Sequence, residues 1–321
     1  MQKTSMTGLV LKRLASGLVT LLVVSVMVFV GTEILPGDVA EAILGQQATP
    51  EAVQTLRDKL GLDRPAAVRY VEWLWNFAHG DLGQSLVSGR EISDLIGVRL
   101  HNSMFLALTA AVIAIPLSVG LGLLAAFFEG RLADKGITAS TLIFVSTPDF
   151  LIGYLLLLWG AVKLGWFPAL SRLSSGMSIM DQLHAIAMPC LTLTLVVSSH
   201  TMRLTRTAIL SVMSQPYIEM AELKGVSRGR IIMRHAFPNA LSPELNIVLL
   251  TLAYLIVGVV VVEAVFNYSG MGRLMIDAVS KRDMPLVQAC GLIFATVYVL
   301  LNLTADILSI LTNPRRRHPK R

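Results

Sequence analysis

Six long apolar runs dominate the 321-residue sequence and decide what it can fold into. They cover residues 14–34, 103–128, 136–164, 185–213, 245–266 and 287–311. Each run is close to or above the ~20 residues that an α-helix needs to cross a hydrocarbon core of ~30 Å. Only 15% of the residues are charged, whereas an ordinary soluble domain carries about 25%. The runs therefore predict an all-α integral membrane protein with six transmembrane helices.

The segments around these runs define the predicted organisation. Lys12 and Arg13 precede the first run, which is too long for a signal-peptide core and lacks a small-residue cleavage site after it. Thr49 and Pro50 have the residue types of an N-cap and a first helical position. The predicted parts are a cytoplasmic N-terminus at 1–13, a first span at 14–35, a sizeable periplasmic region at 36–101, spans two to six at 102–312 with a cytoplasmic loop at 214–240, and a basic cytoplasmic tail at 313–321.

The positions of Lys and Arg predict that both termini lie in the cytosol. Of the 27 such residues, this orientation places sixteen inside and ten outside, and six of those ten lie in 36–101, where charge has little influence on translocation. Lys163 is left uncounted and is expected to extend toward the interface. The net charge of +6 follows the ends of the runs, a distribution that does not predict nucleic-acid binding. Cys190 and Cys290 lie in apolar runs, which favours buried thiols over a disulfide or metal pair.

The segment 211–243 is too polar to span a membrane and too apolar to be disordered. We predict two short helices in it. Ser214 is placed to cap the first, Pro216 lies in its first turn, and Gly225 can end it in the left-handed conformation. Ser227 is placed to cap the second helix, which Pro238 would halt.

The first of these helices carries a candidate docking surface. Tyr217, Met220, Ala221 and Lys224 share one face by their spacing. A tyrosine and a methionine around a small alanine suit a groove on another protein, because alanine permits close backbone approach. A connector that packs only on its own spans fits the residues equally well.

The same segment resembles the cytoplasmic EAA motif of bacterial ABC importer permeases. Glu219, Ala221, Gly225 and Pro238 keep the residues and spacing of that motif, which that family also places between the fourth and fifth spans. The motif's alanine, isoleucine and leucine are replaced by Met220, His235 and Phe237.

Further motifs resemble the first permease of dipeptide, oligopeptide and nickel importers over nearly the whole chain. They are Leu35-Pro36-Gly37-Asp38, Leu60-Gly61-Leu62-Asp63-Arg64-Pro65, Gly80-Asp81-Leu82-Gly83 with Ser85, Ser88-Gly89-Arg90, Ser146 with Pro148, Phe150 and Gly153, Gly165-Trp166-Phe167-Pro168-Ala169, residues 263–266, Gly270-Met271-Gly272-Arg273, Arg282-Asp283 with Pro285, Asn302 with Asp306, and Pro314-Arg315.

The resemblance implies a permease subunit with defined partners in a bacterial inner membrane. A second homologous permease would pair with it, two cytoplasmic ATPase subunits would bind ATP and Mg²⁺, and a periplasmic binding protein would deliver substrate. This chain would bind no cofactor itself, and it contains no Gly-x-x-x-x-Gly-Lys-Ser/Thr sequence. The resemblance implies Glu219, Ala221 and Gly225 at the ATPase contact. Together with the predicted face and the distal proline, the predicted coupling residues are Tyr217, Glu219, Met220, Ala221, Lys224, Gly225 and Pro238.

Three further residues are candidates for a substrate path. Pro148 interrupts backbone hydrogen bonding beside Asp149, an intramembrane carboxylate, and Glu263 lies near the outer end of the fifth run. Helix kinking by Pro148 and packing are the alternative uses. Another carboxylate, Asp306, is expected to pair with Arg203 or Arg206.

Two other function classes compete with the importer. A membrane enzyme, such as an intramembrane protease or transferase, would carry a catalytic motif, but His-Glu-x-x-His does not occur and the six histidines are far apart. An ATP-independent secondary transporter would show inverted repeats and would need no docking loop. Dipeptides, oligopeptides, opine-like conjugates, glutathione and nickel chelates all stay open as substrates. Without a dense histidine or cysteine cluster, nickel is the least favoured and peptides are the first hypothesis.

Overall fold

The computed structural model describes residues 6–34, 41, 44, 48–61, 63–174 and 176–312. Over that part of the chain the regular structure is helical, apart from an isolated bridge between Gln84 and Glu91. The motifs at 35–38 and 314–315 and the basic tail at 313–321 lie outside the described residues. The helices are α1 (Met6–Glu33), α2 (Pro50–Leu60), α3 (Ala66–Ala78), α4 (Ile92–Phe127), α5 (Leu132–Ser146), α6 (Asp149–Leu156), α7 (Ile179–Ala185), α8 (Ala187–Met213), α9 (Pro216–Leu223), α10 (Arg228–Ile231), α11 (Phe237–Val265), α12 (Met271–Ser280) and α13 (Met284–Thr312), with π-helical turns at Leu157–Lys163 and Ile232–Ala236.

These elements form two compact units. Of the described residues, unit 1 holds those within 1–13, 104–268 and 300–321, and unit 2 holds those within 14–103 and 269–299. Helices α1, α4 and α13 each contribute residues to both units.

The core of unit 1 joins α4, α8 and α11. Leu106, Leu193, Leu255 and Phe266 are almost completely buried in it. Small residues bring α4 and α8 close together, since a Cβ placed on Gly122 would lie 2.7 Å from side-chain atoms of Thr205. An apolar helix with a small-residue stripe packs in this way because dispersion contacts drive helix association in lipid.

The core of unit 2 joins α4, α12 and α13 through buried residues such as Ile92, Met271 and Cys290. A loop before α4 is fastened to it by Asp283, whose carboxylate accepts hydrogen bonds from Ser85 Oγ at 2.5 Å and Leu86 N at 3.1 Å. These three groups satisfy one another where water is excluded, which fixes the loop's path.

The apolar runs form helices, but two of them are not straight. Among the described residues, four helices are long and apolar enough to cross a membrane, and up to six if each of two bent pairs counts as one span. Helices α5 and α6 meet at 102°, with Pro148 at the break, and α7 and α8 meet at 61°. Proline lacks an N–H and disfavours helical geometry at the preceding residue, which accounts for the first break.

Two local predictions in the 36–101 segment have different outcomes. The helix start at Thr49 is confirmed, because Thr49 Oγ1 accepts a hydrogen bond from Ala52 N at 3.3 Å and Pro50 opens α2. The second run, by contrast, belongs to a helix that begins at Ile92 rather than near 102. The helix continues through polar residues there because Asn102 donates to Ser269 O and Ser103 Oγ accepts from Met271 N, each at 2.8 Å.

Candidate functional site

Helix α9 forms the centre of the candidate site and ends as its sequence predicts. Pro216 lies in its first turn and Gly225 follows its last turn at φ +75°, a conformation that glycine adopts without strain. The prediction that Ser214 caps the helix is wrong. Gln215 occupies the cap position, while the Ser214 hydroxyl donates to Ser211 O at the end of α8. The last carbonyl groups of α8 have no partner within the helix, and the Ser214 hydroxyl bonds to one of them instead of capping α9.

The outward face of α9 is apolar. Ile218 is completely buried and anchors the helix on unit 1, whereas Tyr217, Met220 and Leu223 are 47%, 55% and 77% exposed. The predicted face centred on Ala221 is therefore shifted, since Ala221 is partly buried. Sequence reasoning missed Leu223, although its spacing of three from Met220 was a usable signal.

The other predicted contact residues surround this face. Glu219 and Lys224 are exposed, and Gly225 has no atom within 4 Å of where a Cβ would lie. The structure thus brings the motif residues together at an accessible end of unit 1, with the exception of Pro238.

Pro238 does not halt the second helix as predicted. Ser227 occupies the cap position of α10 without a side-chain hydrogen bond, and the chain then runs through the π-helical turn directly into α11. Pro238 lies in the first turn of α11. A π-helical turn changes the hydrogen-bond register, so the missing N–H of the proline does not end the helix there. This proline therefore joins the loop to a span.

Residues 225–229 read Gly-Val-Ser-Arg-Gly and so contain the letters of the hydrolase nucleophile elbow. That elbow needs a strand before the serine and a helix after it. Ser227 instead follows helix α9 and precedes a four-residue helical turn. The segment does not have the architecture of a hydrolase site.

A polar network fastens the loop to other elements of unit 1. Arg228 donates to Ala126 O at 3.1 Å in the last turn of α4 and to Glu129 Oε2 at 2.8 Å in the turn that follows α4. Close by, Arg206 of α8 donates to both carboxylate oxygens of Asp134 on α5, at 2.7 and 2.8 Å. Two parallel bonds of this kind fix geometry as well as charge.

This network also corrects the pairing predicted for Asp306. Arg206 is occupied by Asp134, and Asp306 pairs with Arg13 of α1 at 3.1 Å. Asp134 was missed by the sequence analysis, although a carboxylate next to an apolar run is a signal for a paired charge. Charge pairing depends on which helices become neighbours, and the sequence does not reveal that.

The two spans that flank the loop are held together by buried polar contacts. The hydroxyls of Thr201 on α8 and Thr251 on α11 lie 2.7 Å apart, and Thr205 Oγ1 donates to Glu244 Oε1 at 2.9 Å. All four residues are at most 4% exposed. Helices α8 and α11 therefore form one connected hairpin with α9 at its tip.

The candidate substrate-path residues lie at two places. Pro148 and Asp149 are at the break between α5 and α6, where an acidic residue in the first turn is favoured by the helix dipole. Glu263, near the end of α11, is completely buried in unit 1. Helix α6 reaches α11 through Gly153, whose Cβ position would lie 3.2 Å from Val265. The kinking role of Pro148 is confirmed by this break, whereas a path role stays a prediction.

No metal centre is formed by the residues that the structure describes, since they contain no group of three or more histidine, cysteine, aspartate or glutamate side chains able to hold an ion. Cys190 and Cys290 are both free and buried.

Known proteins match the chain over almost its entire length. Residues 118–318 match the model of the binding-protein-dependent transport system inner membrane component, and residues 6–104 match the N-terminal model of such membrane components. A putative peptide transport system permease protein of Brucella abortus (strain 2308) is 37% identical over 313 residues, which cover 98% of this chain and 100% of the relative. A glutathione transport system permease protein of Escherichia coli O6:H1 is 35% identical over the same shares of the two chains.

The fold also has a counterpart among solved structures. A chain of the MetNI methionine ABC transporter, solved in inward-facing conformations, aligns with a TM-score of 0.55 at 15% identity, covering 68% of this chain and 96% of the other. That likeness concerns the fold alone. With both family models and these relatives spanning its length, the chain belongs to the family of inner membrane components of binding-protein-dependent transport systems.

Proposed function

We propose that this chain is one of two permeases forming the pathway of a peptide-type importer, and that α9 receives the movement of a separate ATPase subunit. Its family makes it a multi-pass inner membrane permease of a binding-protein-dependent ABC importer. The observation that carries the proposal for α9 is its exposed apolar strip of Tyr217, Met220 and Leu223. An apolar strip of this kind on a short helix fits a hydrophobic groove on a protein partner.

The anchoring of α9 supports a role as a lever. Ile218 fixes the helix to unit 1, Arg228 ties the following turn to α4, and the Thr201–Thr251 contact joins the flanking spans. A force on the outward face of α9 would therefore reach α4, α8 and α11 together. ATP-driven closure of two ATPases would in this way favour one of two arrangements of the spans.

We propose a topology of six spans in which each bent pair crosses the membrane once. Both termini lie in the cytosol, and the region 36–101 lies in the periplasm. The excess of Lys and Arg on the side that holds α9 supports this orientation. Cysteine labelling at Ser88, which is exposed, tests it. Reaction from the cytosol alone would refute it.

The proposed partners divide the work of transport. A second homologous permease completes the pathway, two cytoplasmic ATPases bind ATP and Mg²⁺, and a periplasmic binding protein delivers substrate. This chain binds no cofactor and has no ATPase site, in keeping with its lack of a phosphate-binding loop sequence. Peptides are the first substrate class and glutathione the second, following the names of the relatives. Nickel chelates and opine-like conjugates are less favoured.

The test is co-purification and ATPase activity of the complex expressed from this chain, its second permease and its ATPases. Met220→Arg and Leu223→Arg should abolish ATPase retention, because each places a charge in the apolar contact. Glu222→Arg is the matched control, since it introduces the same side chain on the same helix outside the strip. The control should keep the ATPases and stimulated ATP hydrolysis.

Membrane abundance of each variant shows whether the chain still folds. Retention of the ATPases by both strip variants at normal abundance would refute docking through α9. Failure of the unmodified chain to hold any ATPase in an intact membrane extract would favour an ATP-independent carrier.

A further inference from the structure

Helix α3 lies against α1 in unit 2 through aromatic and polar contacts. The ring of Phe29 on α1 is 5.4 Å from that of Tyr70 and 6.0 Å from that of Trp73, centre to centre. The hydroxyls of Tyr70 and Ser25 are 2.8 Å apart, and Arg69 pairs with Glu33. These contacts fix where α3 crosses α1.

Helix α3 crosses α1 before the C-terminal end of α1. Ser25 and Glu33 are eight residues apart, which is about 12 Å along a helix. Adjacent residues of α3 reach in opposite directions along this length: Arg69 contacts Glu33 at the end of α1, and Tyr70 contacts Ser25 two turns deeper. The axis of α3 is therefore level with Phe29, about one turn inside the end of a helix that crosses the membrane.

The side chains of α3 fall into three sectors when placed at 100° per residue. The first sector faces α1. The second is apolar and exposed, with Val71 and Trp75 at 63% and 66% exposure and Val68 at 42%. The third is narrow and polar, with Glu72 and Asn76, both exposed.

The order of the sectors relates them to the membrane. Around the helix axis, the apolar sector lies next to Tyr70, which contacts Ser25. The polar sector lies next to Arg69, which contacts Glu33 at the end of α1. The apolar sector of α3 thus faces away from α1, on the side next to Tyr70, whereas the polar sector faces toward the end of α1.

On the Ser25 side of this crossing, one face of α1 is itself exposed. Leu22 and Leu18 lie three and seven residues before Ser25, on the same helical face, and are 43% and 61% exposed. A transmembrane leucine that its own chain leaves exposed contacts acyl chains or another span. The apolar sector of α3 continues this surface, and Trp75 has the amphipathic ring favoured at membrane interfaces.

We propose that α3 is an interfacial helix whose sector of Val68, Val71 and Trp75 is embedded in lipid at the Glu33 end of α1. Amphipathic helices of this kind lie with their apolar face about 5–10 Å into the boundary between headgroups and acyl chains. The segment after α1 would then be anchored to the bilayer surface. This inference concerns membrane contact and depends neither on the substrate nor on the docking proposed for α9.

The test measures the surroundings of nitroxide labels on the full chain in its complex. Single cysteines replace Val71, Trp75 or Val68 in a chain with Cys190→Ala and Cys290→Ala, and the complex is placed in nanodiscs of phosphatidylethanolamine and phosphatidylglycerol. Leu22→Cys is the lipid reference and Asn76→Cys is the matched control, one residue from Trp75 but in the polar sector. Collisions with oxygen report lipid, and collisions with a water-soluble nickel chelate report water.

We expect the labels at Val71 and Trp75 to show an oxygen-to-nickel collision ratio several-fold above that at Asn76 and close to that at Leu22. The label at Val68 reports the same sector if one of the other variants does not fold. A ratio like that of Asn76 would place the sector in water and overturn the proposal. Shielding from both reagents would also overturn it, because a protein partner would then cover the sector.

Discussion

Replacing Arg206 by glutamine should destabilise the protein strongly, because it leaves a buried carboxylate without its cation. The side chain of Asp134 is 6% exposed and that of Arg206 is 26% exposed, so the charge of Asp134 has little access to water. Removing one partner of a buried ion pair costs roughly 3–5 kcal/mol.

The structure places the expected cost at the lower end of that range. After the change, Asp134 still accepts a hydrogen bond from Gly130 N at 2.9 Å and a longer one from Thr138 Oγ1 at 3.4 Å. These donors compensate part of the lost interaction, which leaves a cost of about 3 kcal/mol. At about 1.4 kcal/mol for each factor of ten, the ratio of folded to unfolded protein should fall by roughly two orders of magnitude.

The free energy of unfolding can be measured by circular dichroism during titration of the purified chain, in mixed micelles, with a denaturing detergent. Asp134→Asn should cost less than Arg206→Gln, because Arg206 is the more exposed partner and can reach water. The double variant should be more stable than the sum of the two single effects predicts, by more than about 1 kcal/mol, since the second change removes the charge that the first left unpaired.

Two results would refute this reasoning. A loss below about 1 kcal/mol in Arg206→Gln would mean that Asp134 is not a buried charge held by this arginine. Additive single effects in the double variant would mean that the two side chains do not interact in the folded state.

The matched control is Arg228→Gln. Its pair with Glu129 is 41% and 48% exposed, so a loss of at most about 1 kcal/mol is expected.

Three further predictions concern packing and loop order. Gly122→Ala should lower thermal stability in a melting experiment, because the new Cβ would lie 2.7 Å from Thr205. Gly120→Ala is the control and should have only a small effect, since no atom lies within 4 Å of its Cβ position. Asp283→Asn should expose the loop before α4 to limited proteolysis, because a neutral amide is a weaker acceptor than the carboxylate for the hydrogen bonds from Ser85 Oγ and Leu86 N. An unchanged cleavage rate would contradict this. Tyr70→Phe should cost about 1 kcal/mol, the value of one hydrogen bond, in the free energy of unfolding.

Much of the fold could be predicted from the sequence because its causes are local. Apolar runs of sufficient length become helices in a bilayer whatever surrounds them, since a membrane leaves the backbone no other partners. The ends of α9 follow in the same way from Pro216 and Gly225, whose backbone preferences act within one turn. The sequence could also identify the loop motif, because residue type and spacing carry it.

The remaining features depend on which helices become neighbours. Arg206 pairs with Asp134 and not Asp306, and Pro238 opens a span because a π-helical turn precedes it. Leu223 is exposed only because Ile218 turns the other side of α9 toward unit 1.

The sequence alone therefore determined the membrane class, most of the helices and the loop motif of this protein. Tertiary structure decided the pairing of its buried charges, the outward face of α9 and the crossing of α3 over α1. The physical reason is range: hydropathy and backbone preference act along a few turns of chain, whereas a buried charge or an exposed leucine is defined by residues that are distant in sequence and meet only after folding.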